Sequence, residues 1–262
     1  MTSAIFVLSY LAFLSFSIIK IQPYLFPLWI CTSYILAFLV VIIFYILNFP
    51  FVLMFKSTNK YKVYLMRSLA AFLNRFYLNM KIEVQGVENV PKDGSIVVYS
   101  NHKSYTDAFV IMQYFPRPLT LTPKKSVLKI PFFRSWLKAY DVFPINRDNP
   151  RETLRDLEAA VDVVKNGQTI LLFPEGSIRD RLAETVENAK AGAFKLVKKS
   201  EAGLLPIRLD GNGLVRKRWP KRTKRKVTIF PVIPYSVLKD LSTREMAQLF
   251  MDTINYKNKT VL

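Results

Sequence analysis

Residues 95–107 read SIVVYSNHKSYTD, an apolar run that passes directly into a polar segment. A short apolar run bounded by polar residues is typical of a buried strand, here SIVVYS. Ser104 followed three positions later by Asp107 has the spacing of a capping box, so we expect the next helix to begin at Ser104. A strand that leads straight into a helix is the repeating unit of an α/β domain.

The same alternation continues along the chain. Short apolar runs predict strands at Ser95–Ser100, Leu119–Thr122, Asp141–Ile145, Thr169–Phe173, Leu204–Leu209 and Val227–Ile233. Helical spacing predicts helices at Asp107–Tyr114, Phe132–Ala139, Glu152–Lys165, Ala191–Lys199 and Thr243–Asn255. We therefore predict an α/β fold in which a largely parallel sheet is flanked by helices. Ligands of such sheets bind beyond the carboxyl ends of the strands.

The first 55 residues form an apolar leader with a single charge, Lys20. Its apolar runs extend from Ala4 to Ile19 and from Leu28 to Leu47, and Pro50 is expected to end the second run. As a helix, the second run would be about 30 Å long, which is enough to cross a bilayer core. We predict a two-helix membrane anchor over residues 1–60, either a spanning hairpin or two helices lodged in one leaflet.

The globular domain is predicted over residues 61–262, and almost all of the net charge of +19 lies in residues 56–262. Lys56, Lys60 and Lys62 follow the leader, and the positive-inside tendency places the domain on the cytoplasmic side of the cell membrane. The segment Tyr61–Met80 is amphipathic and fits either a helix on the membrane surface or a helix that covers the sheet. A basic domain suits an anionic lipid surface, although nucleic acid would attract the same charge.

His102 is the only histidine, and therefore the one imidazole available as a base at neutral pH. It precedes the expected helix, while Asp107 lies in the first turn. If the loop folds back, Asp107 accepts a hydrogen bond from one ring nitrogen and leaves the other as a base. The alternative interpretation is structural, with Asp107 capping the helix and His102 packing in the core.

Two further motifs lie near predicted strand ends. Residues 173–177 read FPEGS, for which a plain turn is the simpler interpretation because Pro and Gly favour turns. Residues 124–147 read KKSVLKIPFFRSWLKAYDVFPINR and bring Lys124, Lys125 and Arg147 close to strand ends. Arginine suits bidentate phosphate binding, whereas a solvated basic surface is the alternative for each of these side chains.

Together, the motifs over residues 81–234 resemble the glycerolipid acyltransferase family, and most of all the bacterial 1-acylglycerol-3-phosphate acyltransferases. The family's four blocks occur in order as NHKSYTD, KKSVLKIPFFRSWLKAYDVFPINR, FPEGSIRD and LLPIRLDG. The two-helix membrane anchor of the family is similar to the leader. The chain departs from the family pattern in the third block, where Ile178 intervenes and Arg179 stands one position late.

The resemblance implies roles for particular residues. His102 and Asp107 would be the catalytic pair. The acceptor would be held by Lys125, Arg147, Glu175, Gly176 and Arg179.

The implied reaction transfers an acyl group from acyl-CoA or acyl carrier protein to the sn-2 hydroxyl of 1-acylglycerol-3-phosphate, forming phosphatidic acid. No metal or other cofactor is implied, and Cys31, the single cysteine, forms neither a disulfide nor a zinc cluster. The expected partners are the lysophospholipid, the acyl thioester, an anionic membrane surface and acyl carrier protein, but no nucleic acid. The basic run RKRWPKRTKRK, residues 216–226, would contact lipid headgroups, the carrier protein or coenzyme A phosphates, or would form a solvated loop.

Alternative functions remain at this point. The acceptor could be another lysophospholipid or glycerol-3-phosphate, or water in a membrane hydrolase with the same pair of residues. A membrane-tethered basic protein that binds nucleic acid is a more remote alternative. It would show steeply salt-dependent binding that survives loss of His102, and the chain has no recognised nucleic-acid-binding motif.

Overall fold

A six-stranded β-sheet forms the centre of the protein. The computed structural model describes residues 1–146, 149–178, 180–183, 185–211, 213–218 and 220–256. The strands are β1 (Met80–Gln85), β2 (Ile96–Ser100), β3 (Leu119–Leu121), β4 (Thr169–Leu172), β5 (Gly203–Gly211) and β6 (Thr223–Ile229). They lie in the order β1-β6-β5-β2-β4-β3, and every neighbouring pair is parallel except β5 and β6. The predicted largely parallel sheet is confirmed.

Helices cover both faces of this sheet. The long helices of the N-terminal part are α1 (Thr2–Lys20), α2 (Phe26–Met54) and α3 (Lys60–Phe72). The others are α4 (Asp107–Tyr114), α5 (Pro131–Ala139), α6 (Pro150–Ala159), α7 (Val161–Lys165), α8 (Lys195–Ser200), α9 (Val215–Arg218), α10 (Tyr235–Leu238) and α11 (Thr243–Asn255). The predicted α/β fold with flanking helices is therefore confirmed.

Strand β2 shows how the sheet is held between its two helical layers. Successive side chains of a strand point to opposite faces, and all five residues of β2 are buried. Val97 and Tyr99 pack in one apolar cluster, which includes side chains of α8 and α11. Ile96 and Val98 pack in the other, which includes side chains of α4. The continuous apolar run in the sequence thus reflects burial on both faces.

The register of the parallel strands defines one edge of the sheet. Tyr99 of β2 lies beside Leu172 of β4, and Ser100 lies beside Ile207 of β5. The chain segments that leave β2 and β4 therefore start next to each other, at the carboxyl edge where ligands of α/β sheets bind.

Strand β1 is absent from the sequence prediction, which extended an amphipathic helix from Tyr61 to Met80. The helix ends at Phe72, continues as a π-helical turn over Leu73–Tyr77 and gives way to the strand at Met80. Alternate residues of β1 are exposed, as is usual for a strand at the edge of a sheet. Helix α3 itself packs mainly on α1 and α4.

Several predicted boundaries were wrong. Asp141–Ile145 is not a strand, since only Ile145 forms an isolated bridge, with Lys124, and Pro144 lacks a backbone donor. The predicted helix Glu152–Lys165 is divided at Ala160 into α6 and α7. Ser104 does not begin a helix, because α4 starts three residues later.

Helices α1 and α2 pair with each other and pack on α3 through apolar side chains such as Phe6, Val41 and Leu65. Contrary to the prediction, Pro50 lies inside α2, since a proline removes one helical hydrogen bond without always ending the helix. Thr2–Lys20 and Pro23–Met54 are each long and apolar enough to cross a membrane by length and composition. Their outward side chains are largely apolar, which suits membrane association.

Candidate active site

The loop between β2 and α4 contains His102 and is fixed to the neighbouring strand. The side-chain amide of Asn101 donates to the carbonyl of Leu209 at 2.9 Å, and its oxygen accepts from the N–H of Leu209 at 2.7 Å. Asn101 is buried, so these bonds are shielded from water. The backbone that enters the loop is thereby held at the carboxyl edge of the sheet.

His102 and Asp107 meet as the sequence predicted. The imidazole Nδ1 of His102 donates to Asp107 Oδ2 at 3.1 Å. The same oxygen accepts from the backbone N–H groups of Lys103 at 2.6 Å and Ser104 at 2.7 Å. The loop therefore wraps around the carboxylate, which explains how two residues five positions apart come into contact. Asp107 anchors the loop and orients the histidine at once, an arrangement that fits both the structural and the catalytic interpretation.

The geometry defines the form of the imidazole. A carboxylate only accepts hydrogen bonds, so Nδ1 carries a proton, and in the neutral imidazole the lone pair is then on Nε2. The ring stacks on Phe173, with ring centroids 4.1 Å apart and an angle of 18° between planes. His102 is largely buried. A histidine held in this tautomer by a buried carboxylate has the form required of a general base.

Asp107 also contacts a residue that the sequence analysis did not single out. The guanidinium Nη2 of Arg225 donates to Asp107 Oδ1 at 2.7 Å, and both side chains are fully buried. Burial alone would raise the pKa of the Asp107 carboxyl, but the hydrogen bond from His102 and the charge of Arg225 lower it overall. The buried carboxylate is thus maintained as an anion.

Arg225 belongs to the basic run 216–226, for which the sequence predicts contact with lipid headgroups, acyl carrier protein or coenzyme A phosphates, or a solvated loop. Residues 223–226 belong to β6, where Thr223, Arg225 and Val227 are buried at alternate positions. The alternation of a strand therefore separates one inward arginine from the outward basic residues. Trp219 of the same run lies outside the described residues.

Glu175 and Gly176 follow β4 and reach the same site. Glu175 Oε1 accepts from the backbone N–H of His102 at 2.6 Å. Gly176 has φ of 77°, a left-handed conformation that residues with a Cβ adopt at a cost. The turn that the FPEGS motif predicted is therefore present, and it supports the histidine loop directly.

Lys125 pairs with two acidic residues of α6. Its Nζ lies 2.9 Å from Asp156 Oδ1 and 3.7 Å from Glu152 Oε2. Arg147 and Arg179, the other cations expected to hold the acceptor, lie outside the described residues. The structure thus assembles His102, Asp107, Glu175 and Gly176 of the predicted set.

An apolar cavity of about 870 Å³ borders the histidine. Its walls come from α2, α3, α4 and α5, with His102 and Phe173 at the sheet. The lining is almost entirely aliphatic and aromatic, which suits a hydrocarbon chain rather than a polar ligand. The His102 imidazole is therefore adjacent to a cavity that suits an alkyl chain.

Comparison with known proteins gives a consistent result. A 1-acyl-sn-glycerol-3-phosphate acyltransferase of Borreliella burgdorferi is 28% identical over 185 residues, which cover 70% of this chain and 73% of that protein. The chloroplastic LPAT1 of Arabidopsis thaliana, named as the same kind of enzyme, is 29% identical, and the match covers 68% of this chain but only 49% of the relative.

The crystal structure of the 1-acyl-sn-glycerophosphate acyltransferase of Thermotoga maritima has the same fold. It superposes with a TM-score of 0.60 at 20% identity, over 77% of this chain and 81% of that one. The model of the acyltransferase family matches residues 81–232, more than half of the 262 residues. This matched segment includes His102, Asp107, Glu175 and Arg225, and the chain belongs to the acyltransferase family.

Proposed function

We propose that the protein transfers an acyl group from an acyl thioester to the sn-2 hydroxyl of 1-acylglycerol-3-phosphate, forming phosphatidic acid. The observation that carries this proposal is the oriented His102–Asp107 pair beside a cavity that suits an acyl chain. The names of the relatives support the choice of acceptor.

The proposed mechanism is a direct transfer. His102 Nε2 removes the proton of the glycerol hydroxyl as its oxygen attacks the thioester carbonyl, because an alcohol is a poor nucleophile at neutral pH. Asp107 stabilises the imidazolium that forms. The tetrahedral intermediate then collapses, the carbon–sulfur bond breaks, and the sulfur leaves as a thiolate that takes the proton from His102. Thiols ionise near pH ~8.5, so the leaving group needs little assistance.

The remaining polar residues are proposed to hold the acceptor and the loop. Lys125, Arg147 and Arg179 would neutralise the phosphate of the acceptor. The Lys125 side chain is 41% exposed, which leaves it able to exchange a carboxylate partner for a phosphate. Glu175 would act mainly by fixing the backbone of His102, and Gly176 by allowing the turn that brings Glu175 there.

Membrane attachment follows from the first part of the chain. We propose residues 1–60 as the membrane anchor and residues 61–262 as the acyltransferase domain, lying on the cytoplasmic side of the cell membrane. The net charge of +19 supports contact with anionic lipid headgroups. It equally suits a negatively charged acyl donor, either acyl-CoA or acyl carrier protein.

The test uses the full chain in detergent or lipid, with 1-acylglycerol-3-phosphate and each acyl donor. Thiol release and phosphatidic acid formation are followed together for the wild type and for His102→Ala. Formation of phosphatidic acid that falls by about 10²–10⁴ in the variant supports the proposal. Thiol release without phosphatidic acid would identify a thioesterase. Activity only with another lysophospholipid or with glycerol-3-phosphate would overturn the choice of acceptor.

Lys125→Ala tests the acceptor site. If Lys125 contacts the phosphate, the KM for 1-acylglycerol-3-phosphate rises while the KM for the acyl donor stays the same. If it serves only to bind α6, both constants remain close to those of the wild type, because an exposed ion pair contributes little stability. Lys199→Ala is the matched control, since Lys199 also pairs with an acidic residue of that helix, Glu158.

A further inference from the structure

We propose that Arg225 is a positioning residue for the transfer reaction, because its buried guanidinium holds the Asp107 carboxylate in place and keeps the His102–Asp107 pair ready to accept a proton. This inference rests on the proposed function, in which that pair acts as the base. Arg225 extends the His102–Asp107 pair to a group of three residues. It is contributed by β6, which lies far along the chain from the histidine loop.

The two oxygens of Asp107 have separate partners. Oδ2 accepts from His102 and from two backbone N–H groups of the loop, whereas Oδ1 accepts from Arg225 Nη2 at 2.7 Å. Neither Asp107 nor Arg225 exposes any of its side chain. The guanidinium therefore fixes the rotation of the carboxylate, and through it the plane of the imidazole.

The hydrogen bonding of Arg225 is poor for a residue that serves stability. Its Nε and Nη1 are buried without a hydrogen-bond partner in the part of the chain that the structure describes. Unsatisfied buried donors destabilise a fold, and a buried ion pair seldom repays the desolvation of its charges. Arg208 on the adjacent strand differs, since its Nε donates to Asp210 and its Nη1 to the carbonyl of Ile254. This contrast indicates that Arg225 acts on Asp107.

Other charged groups near the pair are oriented differently. Lys103 is buried in the histidine loop and interacts electrostatically with Asp210 and, to a smaller extent, with Asp107, and Arg181 donates to the Lys103 carbonyl at 3.3 Å. Glu175 faces the backbone of His102. Of the cations, Arg225 is the one whose side chain forms an ion pair with Asp107 among the described residues. Without the Arg225 guanidinium, the buried Asp107 carboxylate would lose this neutralising charge, and a proton bound to the His102–Asp107 pair would neutralise it instead.

The consequence is a change in pH dependence. A positive charge next to a carboxylate opposes protonation of the pair, and an opposite charge at such a distance shifts titrations by about 1–3 pH units. In Arg225→Gln and Arg225→Met, the acidic limb of the kcat/KM–pH profile is expected to move upward by that amount. At a pH below the acidic limbs of both the wild type and the variant, kcat/KM of the variant is then about 10- to 1,000-fold lower than that of the wild type. The variant recovers activity as the pH rises.

The experiment compares these variants with Arg225→Lys and with Arg208→Gln. Lysine keeps the charge, so its acidic limb stays close to that of the wild type. Arg208→Gln removes a buried arginine whose side chain donates to Asp210 and Ile254 and not to Asp107. The acidic limb of its kcat/KM–pH profile is therefore expected to stay where it is in the wild type. Because His102 is the only histidine, NMR titration of its imidazole gives a second readout that requires no turnover.

The outcomes separate this inference from the proposed function. A wild type that forms no phosphatidic acid overturns the proposed function. A wild type that forms it, with neutral variants that lose activity equally at every pH and an unmoved imidazole titration, overturns the role of Arg225 alone. If neither neutral variant folds, Arg225→Lys decides, since a folded lysine variant that is inactive at every pH contradicts a role based on charge.

Discussion

Asp107→Asn is the substitution for which the structure makes the most detailed prediction. The carboxylate accepts hydrogen bonds from four donors, three on Oδ2 and one on Oδ1. An asparagine of the same shape has one acceptor oxygen and one NH₂ group. The three donors on one side favour the orientation in which the amide oxygen replaces Oδ2. The NH₂ group then faces the guanidinium of Arg225 in the protein interior, so two hydrogen-bond donors point at each other and neither has an acceptor there.

The size of the effect follows from this arrangement. Removing one partner of a buried ion pair costs about 3–5 kcal/mol, because the other charge remains buried and uncompensated. The retained amide oxygen still accepts from His102 Nδ1, so the tautomer is preserved while the charge that stabilises the imidazolium is lost. We expect phosphatidic acid formation to fall by about 10²–10⁴.

The assay combines turnover with chemical unfolding of the wild type and variant in the same detergent. The pKa of Asp107 is lowered in the folded protein, so its contribution to stability is present above the unfolded value of about 3.9 and is lost as the pH falls through the folded value. The stability difference should therefore shrink towards acid. Asp210→Asn is the control, since Asp210 pairs with Arg208 in a more exposed position. An Asp107→Asn variant with more than a tenth of the wild-type rate would refute the reasoning.

Three smaller effects are expected elsewhere. Glu175→Gln should keep most of the activity, because an amide oxygen can still accept the hydrogen bond from the backbone N–H of His102. Glu175→Ala leaves this N–H without its acceptor, at a free-energy cost of about 1–3 kcal/mol, and should be less active. Turnover of the two variants checks this. Gly176→Ala should lower the free energy of unfolding by about 1–2 kcal/mol because of its positive φ, and an unchanged unfolding midpoint would contradict this. Ser242→Ala removes the capping box of α11 and should cost about 1 kcal/mol in thermal unfolding, with normal activity.

Local patterns in the sequence predicted much of the fold. The helices Asp107–Tyr114 and Thr243–Asn255 have the bounds that their apolar spacing predicts, although the capping box wrongly placed the start of the first at Ser104. Strand β2 was predicted to within one residue from its continuous apolar run. Strand β1 was missed because its alternation continues the apolar spacing of the preceding helix and only the sheet partner β6 distinguishes them. Such pairing between residues over a hundred positions apart leaves no local signal.

In the candidate site too, the contacts between residues close in sequence were predictable, whereas those that depend on the packing of distant segments were not. The His102–Asp107 contact was predictable because both residues lie on one loop and the adjoining helix. Arg225 was not, since the sequence shows it as one of many cations in a basic run, and only the strand register turns it inward. The ion pairs of Lys125 with α6 likewise depend on how that helix packs beside the preceding segment.

The cavity wall contributed by α2 gives that helix two faces with different tolerance to sequence change. The side chains that line the space beside His102 are Phe38, Val41, Ile42 and Tyr45, and Ala37 of the same helix is fully buried. If the outer face of α2 meets lipid, as proposed, one apolar residue can replace another there with little consequence, because lipid tails adapt to its shape. On the inner face, a single methylene changes the volume of the cavity that we propose for the acyl chain. In the proposed function, α2 is therefore both part of the membrane anchor and one wall of the cavity for the acyl chain. Removing the helix to obtain a soluble enzyme would remove that wall as well.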